Sequence, residues 1–366
     1  MSLNIYSTFA INHNEAATLI RTNGAKISYV IESEPGVGKS SILKTIEKQM
    51  GDKYEYIYVD VPLLDIPNIA LSMPDHDTQT TKEFVNELWL GKDPKKPKVI
   101  MLDEIWKGQI FVQLMMNRLL LEKVVGGRKL PEGSIVFGTS NFSTDGVGDK
   151  TNGHTNSRVA RIQMRKPTQP EWTNWAINNN INEVVLAWIG QNPAIFSSYK
   201  DTEFDSKLHK DGQGIFHYIY HPQHNNMAYV CPRTLELASH QLHNIELTGE
   251  SLLTKALIGT LGSKAALDLT ALMALGADLP HPDDIVKNPA KAKVPKSAAA
   301  QMMLIYKSLQ YINKDNIAAW TCYFERFSIE CYSTWVKTAA SAESSKPFIL
   351  RHQPIIDFAL ANSWIL

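Results

Sequence analysis

Residues 33 to 41 read Ser33-Glu34-Pro35-Gly36-Val37-Gly38-Lys39-Ser40-Ser41, and these residue types suit one kind of chemistry. Gly36 and Gly38 lack a Cβ, so the backbone there can approach a bulky anion closely. Lys39 and Ser40 add a cation and a hydroxyl. If a helix starts at this point, its free N–H groups supply further donors for phosphate oxygens. In such a cradle, lined by Glu34, Pro35, Gly36, Val37, Gly38, Lys39, Ser40 and Ser41, Lys39 would reach the β- and γ-phosphates of a bound triphosphate and Ser40 would ligate Mg²⁺. The match to G-x-x-x-x-G-K-[ST] is incomplete, because Ser33 holds the first glycine position.

A phosphate cradle alone hydrolyses nothing, and the sequence offers the missing carboxylates about sixty residues on. Val99-Ile100-Met101-Leu102 is a continuous apolar run that ends in Asp103-Glu104. A buried strand of a parallel sheet with acids at its C-terminal end puts them where such sheets bind ligands. Asp103 is then a second Mg²⁺ residue, and Glu104 orients and polarises the attacking water. A third run, Ile135-Val136-Phe137-Gly138-Thr139-Ser140-Asn141, ends in small polar residues. The Asn141 amide can bond both a γ-phosphate and the water beside it, although Ser-Asn is also a common turn.

These side chains must be carried by a sheet. Strands are expected at 26–32, 54–60, 99–102, 133–138 and 159–164, with helices at 39–50, 81–89 and 110–125 between them. Continuous apolar strands separated by helices imply an α/β fold with a parallel sheet covered on both faces. Beyond Pro167 only helical periodicity appears, at 171–178, 182–189, 233–246 and 250–261. The expected organisation is an α/β nucleotide-binding domain at 1–166, an α-helical lid at 167–285, an extended Lys-, Pro- and Ala-rich connector at 286–296 and a helical region at 297–366. Helices at 297–312 and 317–339 make up most of this last region, and its aromatic residues (Trp320, Tyr323, Phe324, Phe327, Tyr332 and Trp335) read as core.

Composition narrows the function classes. The 366 residues are 44% hydrophobic and 20% charged, ordinary for a globular protein, and the formal net charge is zero. A strongly basic nucleic-acid-binding surface is therefore disfavoured. No uncharged apolar run reaches the ~18–20 residues that span a bilayer, and residues 1–4 lack a signal-peptide form, so a cytoplasmic location is expected. Three scattered cysteines, Cys231, Cys322 and Cys331, suit reduced thiols better than a disulfide framework or zinc site.

Taken in order, Ser33–Ser40, Leu102-Asp103-Glu104-Ile105 and Asn141 resemble the Walker A, Walker B and sensor 1 motifs of the AAA+ ATPases, and more narrowly of their MoxR-like group. Thr155-Asn156-Ser157-Arg158-Val159 is similar to the segment that presents an arginine finger to a neighbouring subunit. Cys231-Pro232-Arg233-Thr234-Leu235 is similar to the Ser-Pro-Arg that opens the sensor 2 helix. The resemblance covers most of residues 10–285. It implies a P-loop AAA+ core with ATP and Mg²⁺ as cofactors, and catalytic roles for Glu104, Asn141, Arg158 and Arg233. It departs at Ser33 and at Val159, where Phe is common, so Arg161 competes with Arg158 as the finger.

A finger supplied in trans implies a homo-oligomeric ring, expected as a hexamer. Residues 61–74, apolar and punctuated by Pro62, Pro67 and Pro74, look like the family's pore-facing insertion. Leu71 and Met73 would grip a polypeptide there, unless the segment packs on its own core. Three functions follow: an ATP-hydrolysing remodeller of a protein partner, favoured; a helicase-like or restriction-type motor on nucleic acid, kept open by the lysines of 287–296; or a nucleotide-gated scaffold, which the Asp103-Glu104 pair argues against.

Overall fold

Alternation in the apolar runs dictates how the strands are buried. The computed structural model describes residues 9–142, 158–202, 207, 214–224, 226–276, 279–341 and 348–362. They divide into two compact units, one comprising 1–166 with 200–202 and 221–223, the other the remainder.

In the first unit, β1 (Tyr29–Ser33), β2 (Glu55–Asp60), β5 (Lys98–Asp103), β8 (Ile135–Asn141) and β9 (Ala160–Gln163) form one sheet in the order β2-β5-β8-β1-β9. Every pairing in it is parallel. Successive side chains of a strand point to opposite faces, and β5 shows the result. Val99 and Met101 pack with α1 (His13–Asn23) and α2 (Ile42–Met50), against Ala16, Ile20, Ile42 and Ile46. Ile100 and Leu102 pack on the other face with α3 (Ile110–Glu122), against Val112, Met116 and Leu119. This is the α/β class expected, a five-stranded parallel sheet flanked by helices and followed by a helical region. Helix α1 was not anticipated, yet its start carries a capping box: Glu15 N–H donates to Asn12 Oδ1 (2.9 Å) and Asn12 N–H to Glu15 Oε2 (2.7 Å).

The expected helix at 81–89 is a correction. Residues 70–85 form a β-hairpin, β3 (Ala70–Asp75) with β4 (Thr80–Val85), antiparallel with Leu71 opposite Phe84 and Met73 opposite Lys82. Thr80, Thr81, Phe84 and Val85 are β-formers, and Gln79 closes the turn in the left-handed region at φ 51°. Two minor strands, β6 (Val124–Val125) and β7 (Arg128–Lys129), flank Gly126-Gly127 after α3.

The second unit contains α4 (Gln169–Ile177), α5 (Glu183–Gln191), α6 (Pro232–His243), α7 (Glu250–Leu261), α8 (Ser263–Gly276), α9 (Pro282–Lys287), α10 (Ala298–Tyr311), α11 (Ile317–Phe324), α12 (Ile329–Ser341) and α13 (Gln353–Ala361). Helix α8 adds to the expected set, and the helix expected over 317–339 is two, broken around Arg326. The aromatic residues after 317 are core: Trp320, Tyr323, Phe324 and Trp335 are fully buried. The stretch 286–296 lies on that core, with Arg326 donating to the Pro289 and Ala292 carbonyls (2.6 and 2.8 Å) and Tyr323 OH to the Lys293 carbonyl (2.6 Å). No helix among the described residues is long and apolar enough to cross a membrane.

Candidate functional site

The parallel register decides which residues meet. Ser33 pairs with Asn141 across β1 and β8, and Asp60 with Asp103 across β2 and β5, so the chemistry-bearing residues emerge together at the C-terminal edge of the sheet. Past Ser33 the backbone turns through Gly36 (φ 74°) and Gly38 (φ 101°), a left-handed region that side chains with a Cβ adopt poorly. Lys39–Ser41 is a single helical turn leading into α2.

Lys39 is buried at this edge. Its Nζ donates to Asn141 Oδ1 (2.6 Å), Ser33 Oγ (3.2 Å) and the Glu34 carbonyl (3.2 Å). Asn141 in turn donates from Nδ2 to Glu104 Oε1 (3.0 Å). Ser40 Oγ donates to Asp103 Oδ2 (3.0 Å). Lys39, Ser40, Asp103, Glu104 and Asn141, more than a hundred residues apart at the extremes, thus form two short hydrogen-bonded chains side by side.

The structure also explains Ser33. It is the last residue of β1, with no positive φ, and is fully buried. A glycine is not required by the backbone here. Its hydroxyl donates to the Glu34 carbonyl (3.0 Å) while accepting from Lys39, so it helps to orient the lysine.

Several contributors were not read from sequence. Tyr58 OH donates to Asp103 Oδ2 (2.8 Å), and Thr139 Oγ1 donates to Asp103 Oδ1. The Lys166 ammonium lies 2.8 Å from Glu34 Oε2, with both side chains buried; neither Glu34 oxygen has a well-aligned hydrogen bond, so the link is chiefly one of charge. Lys107 Nζ lies 2.9 Å from Glu104 Oε2, again off the direction of a well-aligned hydrogen bond. His13 at the start of α1 shares a hydrogen bond with Ser41 Oγ (2.9 Å), and burial holds its imidazole below the usual histidine range. Thr139 stood two residues before a residue already singled out; the long-range partners had no local signal.

Arg161 lies in β9 and bonds Glu32 through Nε (2.9 Å) and Nη2, an ion pair within the sheet. Arg158 is exposed at the turn before β9. Thr155, Asn156 and Ser157 lie outside the described residues. In the second unit Arg233 is exposed in the first turn of α6, where Pro232 occupies the start of the helix.

The donor set suits a hard cation that brings ligands with it. Ser40 Oγ and the Asp103 carboxylate are the oxygens that would hold it, which fits Mg²⁺, usually held by one or two protein groups plus phosphate oxygens and water. Among the described residues no group of three or more His, Cys, Asp or Glu could hold a metal unaided.

No family model matches the chain, and no curated protein matches it. Among solved structures it is similar to the RuvB Holliday junction branch migration motor of Thermotoga maritima, at 12% identity and a TM-score of 0.35, over 76% of this chain and 75% of that one. It is also similar to NtrX of Brucella abortus in complex with ADP, at 13% identity and a TM-score of 0.33, over 94% and 68%. Likenesses this distant leave the reading of the site to its own geometry.

Proposed function

We propose that the chain is an ATP-hydrolysing AAA+ motor of MoxR-like type. The observation that carries this is the pair of hydrogen-bonded chains Lys39–Asn141–Glu104 and Ser40–Asp103 at neighbouring strand ends. Lys39, which donates to Asn141 and to three oxygens of Ser33 and Glu34, turns to the phosphates of bound ATP. Asn141 is then free to hold the γ-phosphate and the attacking water, and Glu104 takes that water's proton. Ser40 and Asp103 would hold Mg²⁺, which supplies charge neutralisation at the β- and γ-oxygens.

Charge developing on the γ-phosphate calls for another cation. Arg161 is engaged by Glu32, which favours exposed Arg158 as a finger offered to the next copy in a homo-oligomeric ring, a hexamer in the family the motifs resemble. Arg233 would contact the same nucleotide from the helical lid of residues 167–285. The work would be remodelling of a protein partner. The hairpin supports this reading, because Leu71, Met73 and Phe84 are about half exposed on one face of it. Residues 60–90 also carry Asp60, Asp65, Asp75, Asp77, Glu83 and Glu87 against Lys82 alone, an acidic setting that repels a phosphate backbone.

Mixing Arg158→Ala with Lys39→Ala subunits tests both parts of the proposal. Each variant alone is expected to be inactive, and the mixture to regain part of the hydrolysis because one interface per mixed pair is intact. Absence of rescue with both variants folded and assembled would count against a finger acting in trans.

A further inference from the structure

Glu104 is not free in this structure. Its Oε1 accepts the Asn141 amide at 3.0 Å and its Oε2 lies 2.9 Å from the Lys107 ammonium. Its backbone sits in the left-handed region at φ 51°, ψ 43°, where a residue with a Cβ is uncommon and slightly strained. The Glu104 N–H reaches Thr139 Oγ1 at 3.4 Å. A carboxylate held by an amide on one oxygen and a cation on the other is badly placed to swing toward a water.

We infer that Lys107 is a positioning residue that latches Glu104 in a resting pose and so keeps the basal rate of hydrolysis low. The inference rests on the reading of Glu104 as the water-activating carboxylate. Three features of the pair suit a latch rather than a structural tie. First, the Lys107 side chain is 29% exposed although Glu104 Oε2 itself is covered, so the ammonium can leave the contact for solvent or a dissolved anion. Second, Lys107 sits at the end of the single turn Ile105–Lys107, which Gln113 clamps to α3 by donating to the Trp106 and Gly108 carbonyls, 2.8 Å each. The backbone that carries Lys107 is therefore fixed, and release needs only rotation of its side chain. Third, the remaining hold on Glu104 comes from Asn141, whose other amide atom is bound to Lys39. Lys39 leaves Asn141 when it turns to phosphate, so nucleotide binding loosens one side of the carboxylate and leaves Lys107 as the other.

The test is steady-state hydrolysis at saturating ATP and matched oligomeric state. Lys107→Ala is expected to raise kcat about two- to fivefold, the change that matches a part-exposed ion pair, with KM for ATP little changed. Salt screens exposed pairs, so kcat of the unmodified chain should rise between roughly 0.05 and 0.5 M NaCl, while that of Lys107→Ala stays flat. Lys107→Arg should restore the low, salt-sensitive rate. The salt series on the unmodified chain needs no substitution and so stands even if a variant folds poorly. An unchanged or lower kcat in folded Lys107→Ala, or a salt-insensitive kcat in the unmodified chain, overturns the latch. Glu104→Gln added to Lys107→Ala separates this from the underlying reading: if the double variant hydrolyses ATP as fast as Lys107→Ala, Glu104 is not the water-activating group and the site reading falls with the latch.

Discussion

Two cation–carboxylate pairs border the C-terminal edge of the sheet, and they differ in burial far more than in distance. Glu34–Lys166 spans 2.8 Å with side chains 0% and 3% exposed; Glu104–Lys107 spans 2.9 Å with side chains 23% and 29% exposed. The first is sealed beside the turn that follows β1, and removing Lys166 strands the Glu34 carboxylate where water cannot reach. In the second only the cation borders water: Lys107 is partly exposed while Glu104 Oε2 itself is covered. Similar distances therefore suit opposite uses: a permanent brace beside the turn after β1 and, on the proposed reading, a contact made and broken during hydrolysis. Lys166 is also the last residue before Pro167, where the helical part of the chain begins.

The sharpest way to break this comparison is to remove one member of the sealed pair. Lys166→Met, which leaves the buried Glu34 carboxylate without its cation, should lower the unfolding free energy by about 3–5 kcal/mol, measured by denaturant titration. The double variant Glu34→Gln/Lys166→Met should recover much of that loss, because the stranded carboxylate is gone. A loss under about 1 kcal/mol for Lys166→Met, the scale of an exposed pair, would erase the distinction.

Ser33→Gly probes the same brace more gently. It restores the glycine of the usual motif but removes a buried hydroxyl that donates to Glu34 and accepts from Lys39. The expected outcome is a loss of about 1 kcal/mol with ATP affinity retained, read by denaturant titration and by nucleotide titration. A gain in stability would mean that the serine is merely tolerated.

Lys123 offers a third cation, half-buried among neutral acceptors: Ser28 Oγ (3.0 Å) and the Leu120 (3.1 Å) and Val136 (3.4 Å) carbonyls. Burial pushes its ammonium down to about 8, against about 10.4 in an unfolded chain. The unfolded chain thus binds more protons between pH 8 and 10, and stability should rise with pH across that window. Below it the penalty is fully present. Above pH 10 the trend reverses, since burial pushes the Tyr306 and Tyr332 hydroxyls up to about 12 and their folded forms keep protons longer. Denaturant midpoints of the unmodified chain and Lys123→Met from pH 7 to 10 check this, the variant having the shallower rise.

How much could be read beforehand differs along the chain for physical reasons. β5 and β8 were legible because a strand buried on both faces must be apolar throughout, and Asp103-Glu104 and Asn141 follow those runs directly. The hairpin was missed because Thr81–Trp89 carries apolar residues at spacings that fit a helix as well as a strand, and only the β-branched threonines and the Gln79 turn separate the two. Helix α1 had its signal in Asn12 and Glu15, a capping box with few apolar residues after it. Tyr58, Lys107 and Lys166 could not be found by pattern. Tyr58 comes to Asp103 through the β2–β5 register, and Lys166 to Glu34 through the fold of the whole sheet.

On the proposed reading Glu104, directly after β5, activates water for ATP hydrolysis at an edge whose binding residues are separate from it. The most direct test is Glu104→Gln, with nucleotide affinity and kcat measured on the same preparation. The account predicts ATP affinity within a few-fold of the unmodified chain and kcat lower by about 10²-fold or more, the scale of a lost general base. A folded Glu104→Gln variant that binds ATP and turns it over at the unmodified rate would contradict it.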